Sequence, residues 1–183
     1  MHNVQLGIWL FLASEVMLFG ALFAAYLLLR VGAADPWPPG ATILDLPLGL
    51  LATFVLILSN VTMVAGWSAL LRQRLALYRP ALGLTVALAA TFLALQGAAY
   101  SDAFGRGLYP STSTFFALYF TLTGLTAVHV LGGALMILYL WASGPGFWKR
   151  APQQLLHRVE ASGLFWHFVG LVWIFLFPLL YLI

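Results

Sequence analysis

Of 183 residues, 63% are hydrophobic and only 7% charged, where a soluble domain carries about 25% charged residues. The formal net charge is +3 with no basic stripe, which excludes a nucleic-acid-binding surface. The absence of cysteine excludes disulfides, iron–sulfur clusters and thiolate metal sites, and an integral membrane protein is what remains.

A helix needs about 20 apolar residues to cross about 30 Å of hydrocarbon. The first run that qualifies covers roughly 6–29. It lacks a Lys/Arg-rich start and exceeds the roughly 7–15 residues of a signal-peptide core, so it reads as a retained helix. Asp35-Pro36-Trp37-Pro38-Pro39-Gly40 follows and cannot be helical throughout. The second run, 46–71, is long enough to tilt or to extend past the bilayer. The third, 81–101, follows Pro80, a residue suited to a first helical turn. Gly105, Gly107 and Pro110 precede the fourth run, 113–141, and Gly144-Pro145-Gly146 and Pro152 precede the fifth, 161–182. The pattern predicts an all-α integral membrane bundle of five transmembrane helices, a single domain over 1–183 with no internal repeat.

The positive charges set the orientation. Arg72, Arg74, Arg79, Lys149, Arg150 and Arg158 lie on the side of the N-terminus, against Arg30 and Arg106 on the other. Cytoplasmic loops carry the excess of Lys and Arg. The N-terminus is therefore expected in the cytoplasm and the C-terminus outside, in a plasma membrane of the bacterial type.

Polar residues inside the spans are the candidates for function. Counted from Leu6 at about 1.5 Å per residue, Glu15 lies on the order of 14 Å deep, near the midplane. A charged acid there costs about 2.5–3.5 kcal/mol on insertion scales. Its neighbours three and four residues away are Phe11, Leu12, Leu18 and Phe19, so its own helix offers no partner. Either Glu15 is a neutral acid bonded to a neighbouring helix, or it is a proton-linked, partner-facing acid. Desolvation favours the neutral form in both cases. His129 precedes Gly132 and Gly133, and Glu160, Gly163, His167 and Gly170 form one stripe at spacings of three and four. Small residues let a neighbouring backbone approach closely, so both histidines are expected at helix–helix contacts. Each helix has one histidine and no second acid nearby, so hydrogen bonding between helices is favoured over metal or haem ligation. The seven tryptophans mostly fall near span ends and read as an interface belt, and Asn60 and Gln96 read as buried interhelical amides.

Three stretches together resemble the cytochrome c oxidase subunit III family. Residues 6–26, LGIWLFLASEVMLFGALFAAY, resemble its Ser-Glu-Val helix. Residues 124–133, GLTAVHVLGG, resemble its Gly-Leu-His-Gly-Leu-His-Val segment. Residues 158–175, RVEASGLFWHFVGLVWIF, resemble its last-helix signature. Glu15, His129, Glu160 and His167 match the family pattern. Thr126 stands where the family has its first histidine, and Gly170 where it has an aspartate.

The resemblance implies the five-helix form of a subunit of a proton-translocating haem–copper terminal oxidase. Such a chain is part of an oxidoreductase complex and carries no catalytic residue or redox centre of its own. Haem and copper are expected in partner subunits. The catalytic subunit I is the main partner beside other oxidase subunits and membrane lipids, with bound phospholipid expected and support of proton uptake as the role. Alternatives are subunit III of a quinol oxidase, a nitric oxide reductase accessory protein, a structural assembly factor, and an independent proton or solute transporter. Transporters often show internal repeats and paired broken helices, and neither is visible here.

Overall fold

The helices run further than the hydrocarbon does. The computed structural model describes residues 2–33 and 37–182, and within these not the side chains of 2–5 and 41. Asp35 and Pro36 of the breaker-rich linker lie outside the described residues. The elements are α1 (His2–Val31), a short α2 (Gly40–Ile43), α3 (Leu46–Leu71), α4 (Leu75–Gly105), α5 (Thr114–Arg150) and α6 (Pro152–Tyr181). All but α2 are long and apolar enough to span a membrane, and no strand occurs among the described residues.

Three helix boundaries differ from the sequence expectation. Pro80 is not in the first turn of its helix, because α4 already begins at Leu75. Gly144-Pro145-Gly146 does not end α5, which continues to Arg150. The last helix starts at Pro152 rather than near 161. Hydropathy locates the segment inside the membrane, whereas hydrogen bonding and capping locate the helix ends, and the polar turns 152–160 belong to the second class only.

A reciprocal pair of side-chain-to-backbone hydrogen bonds ties α4 to α5 close to Pro80 and Pro145. The Tyr78 hydroxyl donates to the Leu140 carbonyl at 2.8 Å, and Trp141 Nε1 donates to the Arg79 carbonyl at 3.1 Å. The Tyr78 ring occupies the space where a Cβ on Gly144 would sit, with ring carbon Cε1 2.7 Å away. The starts of two spans are capped in the ordinary way. Asp45 accepts from the Leu48 amide at 3.0 Å, and Ser113 accepts from the Phe116 amide at 3.3 Å.

Helices α3, α4, α5 and α6 form the bundle, and α6 is its centre. In the most apolar stretch of each helix, 56% of α6 is buried but only 11% of α1, which leans on α5 and α6 from outside. The interface-belt reading fails for Trp166 and Trp173, which are fully buried. Trp166 donates to Ser59 at 3.1 Å, and Trp173 donates to Thr53 at 2.9 Å while meeting Phe92 edge-on at 4.8 Å between ring centres. Their polar edges are satisfied by hydroxyls on α3, so the rings can be core. The C-terminal end of α1 is tied down by Tyr26, which donates to the Leu179 carbonyl at 3.0 Å and accepts from Trp37 Nε1 at 3.3 Å.

Candidate functional site: two histidine-centred helix contacts

The acid expected near the midplane has its partner on another helix. Glu15 on α1 and His129 on α5 meet with Oε2 and Nε2 2.9 Å apart, and their side chains are 14% and 12% exposed. The other ring nitrogen of His129, Nδ1, lies 2.8 Å from the Leu125 carbonyl one turn earlier. A carbonyl can only accept, so Nδ1 carries a hydrogen. The contact between Nε2 and Oε2 then needs one further proton. Either the acid donates to a neutral imidazole, or an imidazolium donates to a carboxylate, and the pair is electrically neutral both ways. Phe19 of α1 meets the imidazole edge-on at 5.3 Å and Phe165 of α6 stacks beside it at 6.1 Å, so aromatic rings from two helices flank the pair.

Gly133 and Gly132 differ in role. A Cβ on Gly133 would come within 2.8–3.0 Å of ring atoms of Trp166 and Phe165, so this glycine lets α6 pack close behind the pair. Gly132 has nothing within 4 Å of such a Cβ and is exposed. Within the chain it packs against no other helix, because one residue advances about 100° around a helix and turns it away from α6.

His167 forms the second contact. Asn60 on α3 donates from Nδ2 to the Leu56 carbonyl at 2.9 Å, which fixes its amide orientation and leaves Oδ1 as acceptor. His167 Nδ1 lies 2.8 Å from that oxygen and donates to it. A Cβ on Gly170 would collide with the Asn60 amide, with Cγ at 2.9 Å and Oδ1 at 3.0 Å, so only glycine leaves Asn60 room to reach His167. Gly163 packs loosely by comparison, because its nearest neighbour is the flexible end of Met63 at 3.5 Å. Glu160 is not drawn into this contact. Its side chain is 39% exposed and lies 3.6 Å from His157 Nδ1 near the start of α6. The structure thus joins Glu15 to His129 and His167 to Asn60, and leaves Glu160 near the surface. Asn60 is the functional partner that the sequence reading did not connect to the stripe on α6.

The family model for cytochrome c oxidase subunit III matches residues 1–183. The chain belongs to the cytochrome c oxidase subunit III family. Cytochrome c oxidase subunit 3 of Thermostichus vulcanus is 37% identical over 180 residues, covering 97% of this chain and 86% of the relative. Cytochrome bo(3) ubiquinol oxidase subunit 3 of Pseudomonas aeruginosa is 34% identical, covering 98% of this chain and 85% of the relative. A haem–copper oxidase subunit I+III of Aeropyrum pernix is 29% identical over a region that covers 99% of this chain and 23% of that longer protein. As a subunit III family member with five apolar helices, the chain is an integral membrane component of a respiratory oxidase complex.

Proposed function

We propose that this chain is the five-helix subunit III of a proton-translocating haem–copper terminal oxidase, and that it clasps the outlying helix α1 to the bundle through the Glu15–His129 pair. The pair is the observation that carries this reading. Helix α1 has little buried surface, so one satisfied polar contact at the midplane is a large part of what holds it in place. In hydrocarbon the neutral form, acid donating to imidazole, avoids the desolvation of two charges. The pair therefore holds a proton in place.

The catalytic subunit I is the main partner, a reading supported by the relative in which subunits I and III are one chain. Haem and copper are held there. Stabilising subunit I, binding phospholipid and sustaining proton uptake are the roles that fit a chain of this kind. Relatives carry both cytochrome c and ubiquinol oxidase names, so the electron donor is a property of the partner subunits. The N-terminus lies in the cytoplasm, following the bias of Lys and Arg.

The test is purification of the tagged chain from its own membranes in mild detergent. A large haem-bearing chain in stoichiometric amount is expected, with no visible absorption from the chain once it is separated. A chain that purifies alone, or that carries its own haem or copper, contradicts the proposal.

A further inference from the structure

The outer face of the α3–α6 seam carries two recesses of about 180 Å³ and about 320 Å³. Their linings repeat every seven residues. Gly163 and Leu164 line the first recess where Gly170 and Leu171 line the second, Trp67 of the first answers to Asn60 of the second, and the first recess also carries the Glu160 carboxyl and the unpartnered Trp67 Nε1 at its edge. Val64 and His167 line both and form the ridge between them. Seven residues of helix rise about 10.5 Å. Two holes at that interval on a seam between two helices are the counterpart of two knobs one heptad apart on a third helix. The glycines make the holes, as close helix packing in membranes requires.

The ridge is not apolar. Asn60 commits His167 Nδ1 as a donor, so in the neutral ring Nε2 is a lone-pair acceptor. Nε2 has no hydrogen-bond partner among the described residues and is open at the surface rather than sealed in the core. An acceptor at membrane depth without a donor is costly, and hydrocarbon chains offer no donor. An acyl chain would also favour one continuous groove over two recesses divided by a ridge.

We propose that the α3–α6 seam receives a transmembrane helix of a partner subunit. That helix sets two large apolar side chains seven residues apart into the recesses at Gly163 and Gly170, and a hydrogen-bond donor between them onto His167 Nε2. The inference rests on the reading of this chain as an oxidase subunit and adds the surface by which it docks.

Photo-cross-linking residues placed at Val64 and Leu171 in the intact complex test it, with products identified by mass spectrometry. Both positions are exposed in the chain alone. The expected result is that both label one and the same transmembrane segment of another subunit. Gly163→Leu fills the first recess, so it should leave the amount of chain in the membrane unchanged and abolish the Val64 product. Labelling of lipid only, or of a second copy of this chain, within an intact complex overturns the docking surface while leaving the oxidase reading in place. A Val64 product that persists in Gly163→Leu also overturns it. Absence of this chain from any haem-bearing complex is the separate result that removes the oxidase reading, and the docking surface falls with it.

Discussion

Gly170→Ala is a one-methyl test of the Asn60–His167 contact. The new Cβ would meet the Asn60 amide with Cγ at 2.9 Å and Oδ1 at 3.0 Å, and a third atom, Nδ2, closer still. The amide cannot withdraw without giving up both the Leu56 carbonyl and His167. Overpacking costs about 1–3 kcal/mol. Loss of an interhelical hydrogen bond in a membrane protein adds about 0.6 kcal/mol. Replacing glycine by alanine in a helix returns about 1 kcal/mol. The net expectation is destabilisation of about 0.6–2.6 kcal/mol. Gly132→Ala, with no neighbour within 4 Å of the new methyl, keeps only the favourable term. Equilibrium unfolding of the full chain in mixed micelles on titration with a denaturing detergent compares the two. Once Asn60 is alanine, Gly170→Ala should cost nothing further, which is the coupling expected of residues in contact. Equal stability of Gly170→Ala and Gly132→Ala would refute the reasoning.

Gly133→Leu should prevent stable assembly, since Trp166 and Phe165 already fill the space, whereas Gly132→Leu should assemble at wild-type levels in membranes. Glu15→Gln should assemble normally with at most a modest loss of sustained turnover, because its amide can donate to His129 Nε2 as a neutral acid does. Glu15→Lys should disrupt assembly, at a cost of about 2.5–3.5 kcal/mol for a cation at the midplane, read as loss of the chain from the purified complex. Reporter fusions after Ile183 and in the turn between Arg72 and Arg74 should report opposite sides of the membrane.

The five spans were legible in the sequence because apolar runs of membrane length have few other uses. The helix ends were not. Pro80 and Pro145 look like boundaries, yet α4 and α5 run through them and are tied to each other nearby by Tyr78 and Trp141. Trp166 and Trp173 looked like interface residues because the hydroxyls of Ser59 and Thr53 that satisfy them come from another helix. Glu15 and His129 were each singled out, but a contact between residues 114 apart leaves no signal in one sequence. The same holds for Asn60, whose proximity to Gly170 became informative only when the space for a Cβ was found to be taken.

The central claim is that Glu15 and His129 form one neutral unit with a single proton between them. Infrared difference spectroscopy of the purified complex, wild type against Glu15→Gln and across a pH titration, tests it most directly when combined with nitrogen-15 resonances of His129. The account predicts a protonated carboxyl C=O band near neutral pH that vanishes in Glu15→Gln, with His129 carrying hydrogen on Nδ1 only. A spectrum in which no carboxyl band depends on Glu15, together with an imidazole protonated on both nitrogens, would contradict it by showing an ion pair instead.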